Sequence, residues 1–198
     1  NPIKKDQYKV SVIQYNKHAL NKAIEHILKL ISEGKNVFAP SSNKSFITSL
    51  ENNIPKDLKE YCKFYHSETD KRQDAIDIKD ANKIWQTLKL LSCSPTFTNG
   101  ISFAPKDENN NDIKHFDHTV QFVSNTSCCS RDLFQQLLRV RHLKSKHIYI
   151  YVESKQVLNK KLTEIFYENY NDYYTNFISE NKKLLEERLV KLQEEEGI

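Results

Sequence analysis

Three glycines, no methionine and four cysteines are all that this 198-residue chain has of those residues. With glycine only at 34, 100 and 197, neither GxxxxGK[ST] nor GxGxxG can be written anywhere in it. A glycine-rich cradle for nucleotide phosphates is therefore excluded, and the chain alone should not hydrolyse a nucleotide. No run of 18 apolar residues occurs, so no membrane-spanning helix is expected. The cysteines, at 62, 93, 128 and 129, follow no regular framework, and reduced thiols in an intracellular protein are the simpler reading. The first ten residues, NPIKKDQYKV, carry neither an initiator Met nor an apolar signal core, and a piece of a longer polypeptide is expected.

Hydrophobic residues make up 38% of the chain and the mean hydropathy is −0.70, values of a rather polar, soluble protein. The length suffices for one domain with a core, or for one domain with an appendage. A net charge of +4 is unevenly spread. Residues 139 to 147, RVRHLKSKH, are nearly all basic or His, while the end of the chain, EERLVKLQEEEGI, is rich in Glu. The basic run points towards a polyanion.

The pattern of apolar residues alternates between two periods. YKVSVIQY (8–15) reads as a strand. Leu20, Ala23, Ile24, Ile27, Leu28 and Ile31 recur at helical spacing, with Gly34 as the stop signal. NVFAPSS (36–42) reads as a strand with a small polar turn, followed by a helix over 44–52. EYCKFYH (60–66) is a strand, 77–86 a short helix and LKLLSCS (88–94) a buried strand. HTVQFVS (118–124) is a further strand, 131–139 a helix and HIYIYVE (147–153) the last strand, with 106–114 a polar loop or hairpin insertion. Strand and helix in alternation is the grammar of a parallel α/β sheet. From Leu158 to Leu192 apolar residues follow helical spacing without Pro or Gly, which predicts one or two long helices. The tyrosines of FYENYNDYY could stack on bases, although aromatics at such spacing serve packing more often.

Three constellations could carry chemistry. His115, His118, Cys128 and Cys129 could be drawn as a zinc site, but adjacent cysteines share a tetrahedral metal poorly and HxxH is not a usual ligand spacing. No metal is expected there. A Cys–His nucleophile lacks an orienting group. SCSPTFTNGISF (92–103) places Ser94, Thr96, Thr98, Gly100 and Ser102 in a loop after a buried strand. That is where ligands sit in open parallel sheets, and such small residues let a backbone approach phosphates. A tight strand-to-helix turn is the plain alternative. Finally, Ser130 can cap a helix whose apolar face is Leu133, Phe134, Leu137 and Leu138, with Gln135 and Arg139 four residues apart and Arg141 at its end. Two guanidinium forks at one sheet edge suit a phosphate, and the helix dipole alone also favours arginine there. Both readings stand on spacing alone.

Order adds what spacing does not. VFAPSS, KFYHSETD, SPTFTNGISF and QQLLRVR resemble, in sequence order, motifs IV, IVa, V and VI of the second RecA-like lobe of superfamily 2 helicases. LLSCSPTFTNGISF and SRDLFQQLLRVRHL in particular resemble the herpesvirus-type replication origin-binding helicases and their relatives in large DNA viruses and plasmids. The likeness covers about residues 8 to 153. It departs from the common pattern at Leu138, where many helicases have Gly, and in the spacing of the arginines, +2 in place of +3.

The resemblance implies a RecA-like lobe over 1–153, mainly parallel and flanked by helices, with a helical extension over 154–198. Gln135, Arg139 and Arg141 would be the catalytic residues of motif VI, the arginines reaching the ATP γ-phosphate. Gly100 and Ser102 would join them at the nucleotide. Ser41, Ser42, His66, Ser67, Thr69, Ser94, Thr96 and Thr98 would lie near the phosphates of a nucleic-acid strand. ATP and Mg2+ are implied for the full-length protein and not for this stretch alone, since the Walker residues belong to a preceding lobe. Single-stranded or forked DNA, that N-terminal lobe, and a primase or other replication protein are the implied partners. The implied location is a host nucleus or a cytoplasmic replication site. The competing expectation is a non-catalytic replication-complex docking or DNA-binding module, which the Glu-rich helical segment from Glu180 to Glu196 would suit.

Overall fold

The computed structural model describes residues 8–15, 17–69, 71–94, 101–124 and 130–153. The chain divides into two compact units, Ser11–Val157 and a second made of Asn1–Val10 with Leu158–Ile198. The C-terminal helical extension expected from the sequence lies outside the described residues.

Six strands, β1 (Lys9–Tyr15), β2 (Val37–Pro40), β3 (Cys62–Tyr65), β4 (Leu90–Cys93), β5 (His118–Ser124) and β6 (His147–Glu153), form one sheet in the order β1-β6-β5-β2-β4-β3. The pairs β2/β4, β2/β5, β3/β4 and β5/β6 are all parallel. This is the helix-flanked parallel α/β sheet that the alternating strand and helix pattern implies. The chain passes from β2 outward to β3, returns through β4, and then crosses to β5 on the other side of β2. The reversal of strand order beside β2 makes the crevice that open α/β sheets use for ligands.

One face of the sheet carries α1 (Ala19–Ser32) and α2 (Lys44–Asn53). Ala23, Ile27, Ile31, Phe46, Ile47 and Leu50 pack there on Val37, Ala39, Leu90, Val120 and Phe122. Gly34 ends α1 at φ 77°, in the left-handed region that glycine enters without strain. Its N–H and that of Lys35 close the last turn on Ile31 O and Leu30 O (2.9 and 3.0 Å). Asn43 starts α2 by accepting the Phe46 N–H on its side-chain oxygen (3.1 Å).

The opposite face is aromatic. Trp85 packs on Tyr65 and Phe103 (centroids 6.1 and 5.8 Å apart), and Phe103 and Phe38 pack on Phe116 (5.4 and 6.2 Å). Here the structure differs from the pattern read in 77–86. A helix, α3 (Lys71–Lys79), starts six residues earlier, a short α4 (Ala81–Ile84) follows, and a 3-10 turn spans Trp85–Thr87. The early start is invisible to hydrophobic periodicity because the buried positions of α3 are Asp74 and Asp77.

Asp77 is 3% exposed and its carboxylate accepts hydrogen bonds from Lys63 Nζ (3.0 Å), Tyr65 Oη (3.0 Å) and Gln73 Nε2 (2.7 Å). Burial pushes its pKa up, but the hydrogen bonds from Gln73, Lys63 and Tyr65 outweigh this and hold it below the usual carboxylate range. A depressed native pKa stabilises the fold above the unfolded carboxyl pKa, and that contribution is lost as the pH falls through the native value. Asp77→Asn is therefore expected to cost about 2–3 kcal/mol at neutral pH. In urea titrations the gap to wild type should close on acidification below about pH 4; a gap independent of pH would contradict this role for the carboxylate.

The 106–114 stretch is a hairpin insertion, with Lys106 and Asp112 in an antiparallel bridge and Asn110 at φ 64° in its turn. Cys62 and Cys93 are free and buried, and burial pushes their thiols up to about 11 and about 12. Both stay protonated, as packing groups do.

Candidate functional site

The strand register brings the first residues after β2, β3 and β4 to one edge. Cys93 is level with Pro40 on one side and Tyr65 on the other, so Ser41, Ser94 and His66 follow side by side. Two further ladder bonds, Ser41 N–H to Cys93 O (3.1 Å) and Ser94 N–H to Tyr65 O (2.9 Å), extend the sheet to this row. At the usual strand separation the row is about 10 Å long.

Its side chains divide by what they touch. Ser41 is fully buried; its hydroxyl donates to Phe122 O (2.8 Å) and accepts the Asn43 N–H (3.1 Å), which ties β2 to β5. His66 is buried and accepts the Glu68 N–H on Nδ1 (3.3 Å). Thr69 closes the same turn, its hydroxyl 2.7 Å from His66 O and 2.5 Å from Asp74 Oδ2. These three side chains shape the edge from within. Ser67 is exposed on the turn. Ser42 and Ser94 each hold a hydroxyl that is shut off from solvent without a hydrogen-bond partner. Thr96, Thr98 and Gly100 lie outside the described residues, as do Cys128 and Cys129.

The arginines are placed by a feature that sequence spacing misses. The last helix among the described residues, α5 (Ser130–Leu137), ends two residues before Arg139, so Gln135 and Arg139 do not share one continuous helix as expected. The chain must straighten there because Val140 forms a parallel bridge with Phe103. Arg139 O accepts the Phe103 N–H (2.7 Å) and Phe103 O accepts the Arg141 N–H (3.1 Å). The face of α5 also differs from the apolar pattern. Among its described side chains Gln136 and Leu137 are buried, while Leu133, Phe134 and Gln135, and Leu138 just past its end, are half-buried. Gln121 of β5 reaches up to donate to Leu133 O (3.1 Å).

Both guanidinium groups rest on the same short segment. Arg139 Nη1 donates to Ile101 O (2.9 Å) and Arg141 Nε donates to Ser102 Oγ (2.9 Å). Arg139 is half-buried beside Cys93, and its Nε is buried with no hydrogen-bond partner. Burial, and then the charge of Arg141, hold its pKa below the ordinary guanidinium value, with Cys93 acting the other way. A guanidinium remains charged even so. A buried donor without a partner, next to a second cation, is an arrangement that an anion relieves. Ser102, expected at the nucleotide, orients Arg141, and no motif pointed to the carbonyl of Ile101.

No family model matches the sequence. The chain is 27% identical over 128 residues to an "uncharacterized putative helicase" of Acanthamoeba polyphaga mimivirus, covering 63% of this chain and 11% of that protein. It is 28% identical over 134 residues to a "putative helicase/primase complex protein" of African swine fever virus, covering 67% of this chain and 12% of that one. The chain is similar to helicase-type proteins of large DNA viruses. It spans about one-ninth of the length of the curated relatives it matches. Among solved structures, Mss116p DEAD-box helicase domain 2 bound to an RNA duplex aligns with a TM-score of 0.48 at 17% identity, over 72% of this chain and 54% of that one.

Proposed function

We propose that this chain is the C-terminal RecA-like lobe of an ATP-dependent DNA helicase acting in viral genome replication inside the host cell. The observation that carries the reading is the arginine pair. Two guanidinium groups stand at one sheet edge on a common backbone segment, and Arg139 has a buried Nε awaiting an acceptor. The donor set fits a phosphate oxygen from across a lobe interface. ATP with Mg2+ in the full-length protein would supply the phosphoanhydride bond. Within this chain Arg139 and Arg141 would hold charge at the γ-phosphate, and residues 101–103 keep both in place. Gln135, half-buried on α5, would join them.

The nucleic-acid contacts belong to the level row of strand ends. Ser67, which is exposed, with Thr96 and Thr98, would meet the phosphates of one strand, while Ser42 and Ser94, whose hydroxyls are enclosed, join the inward bonds of Ser41, His66 and Thr69 in shaping the turns. The African swine fever virus relative's description as a putative helicase/primase complex protein supports a primase or another replication protein as partner.

The test is ATPase and unwinding by the full-length protein, wild type against Arg139→Ala. Loss of DNA-stimulated turnover in the variant is expected, and normal turnover would remove the arginine from the reaction. A protein that neither hydrolyses ATP nor unwinds DNA as wild type would instead favour a docking module.

A further inference from the structure

We propose that an open trough between α4 and residues 101–106 takes the phosphodiester backbone of a single DNA strand, through Lys79, Lys83 and Lys106. The proposal rests on the helicase reading for its ligand and, for its site, on three lysines outside the motif loops, with Ile101 and Ser102 of the loop after β4 lining one end of the trough.

Two adjoining depressions of about 540 and about 360 Å3 make up the trough, and they share Asn82 and Lys83. Lys79 and Lys83 stand on one wall, at the end of α3 and on α4, and Lys106 on the other. All three are exposed, and none forms an ion pair among the described residues. The one acid among the described residues of the lining is Asp80. Such unneutralised ammonium groups repel one another and are held apart on fixed walls. Asn82 Oδ1 accepts the Ala104 N–H (3.0 Å), pinning one wall to the other. Beneath them Trp85 packs on Phe103.

Three features select the ligand. The cations are spread along joined, open depressions instead of converging on one point, which fits a polymer of repeated charges better than a single small anion. The exposed large apolar residues among those described are Tyr61 and Ile76, and neither lines the trough. A protein partner would find apolar lining from Ile78, Ala104 and Pro105 but no exposed aromatic or large apolar anchor of the kind that dominates most protein interfaces. Lysines on flexible stems give sequence-independent attraction to phosphates, as a translocating strand requires. The wall formed by residues 101–106 also carries the Ile101 and Ser102 atoms that hold Arg139 and Arg141. A strand in the trough would thus bear on the same segment as the arginines.

The test compares this chain with its Lys79→Gln/Lys83→Gln/Lys106→Gln variant by fluorescence anisotropy on a labelled 20-nucleotide oligo-dT over a range of salt. Replacing three surface lysines should leave circular dichroism unchanged. The proposal expects the slope of log Kobs against log salt to become shallower by about 2, since each phosphate contact on a single strand contributes about 0.7. A slope equal to wild type, with binding retained, overturns the trough and leaves the helicase reading in place. Absence of wild-type binding at the lowest salt also overturns it, while the ATP chemistry is read independently through Arg139. Tighter binding of poly-glutamate than of oligo-dT at equal charge would overturn it in favour of an acidic protein.

Discussion

Phe103→Ala is expected to lower the unfolding free energy of this chain by about 3–5 kcal/mol, the usual cost of emptying an aromatic core site. Phe103 is 1% exposed and its ring packs between Trp85 and Phe116. Its backbone bonds to both Arg139 and Arg141, so the same residue closes the aromatic face and aligns the arginine segment. Against a typical domain stability of about 5–15 kcal/mol the loss is large. Urea unfolding followed by circular dichroism measures it. Phe103→Leu should cost markedly less, because most of the volume is kept. A change in Phe103→Ala below about 1 kcal/mol, in the range of surface substitutions, would show that the ring does not hold the aromatic face together.

Arg139→Ala is expected to lower DNA-stimulated turnover by the full-length protein about 10³-fold, the lower end of what arginine fingers contribute in GTPases. Arg139 ranks ahead of Arg141 because its Nε is buried and unpartnered, whereas Arg141 is exposed and commits its Nε to Ser102. Arg139→Lys should recover little, since an ammonium cannot reproduce a fork that holds Ile101 O with one nitrogen while offering others to a phosphate. Arg141→Ala should cost less than Arg139→Ala. If the order of the two is reversed, Arg141 is the finger and Arg139 its support.

Much of this architecture is legible in the sequence because burial and period agree. The strands fall within a residue or two of their apolar runs, and Gly34 stops α1 where the spacing ends. Legibility fails where polar residues take inward positions. Asp74 and Asp77 hide the first turns of α3, since a hydrogen-bonded carboxylate looks like a surface residue to any hydrophobic pattern. Gln136 does the same on α5, where Leu133 and, just past its end, Leu138 are only half-buried. In the candidate site, the order of the motif loops anticipates that Ser41, Ser94 and His66 come level. It does not anticipate that Ser41, His66 and Thr69 turn their side chains inward, because that depends on which carbonyls and carboxylates lie beside them. The seat of the arginines is out of reach for a related reason: Ile101 contributes a backbone oxygen, which no residue type encodes. The bridge between Phe103 and Val140 joins segments whose pairing has no local signal.

Whether Arg139 completes an ATP site shared with another lobe is decided by single-turnover ATP cleavage with DNA present. Full-length wild type and Arg139→Ala are compared, with nucleotide affinity measured on the same preparations. Cleavage slowed about 10³-fold at nearly unchanged affinity is expected, because the lost interaction belongs to the transition state. Cleavage at the wild-type rate by a folded Arg139→Ala protein would contradict that role.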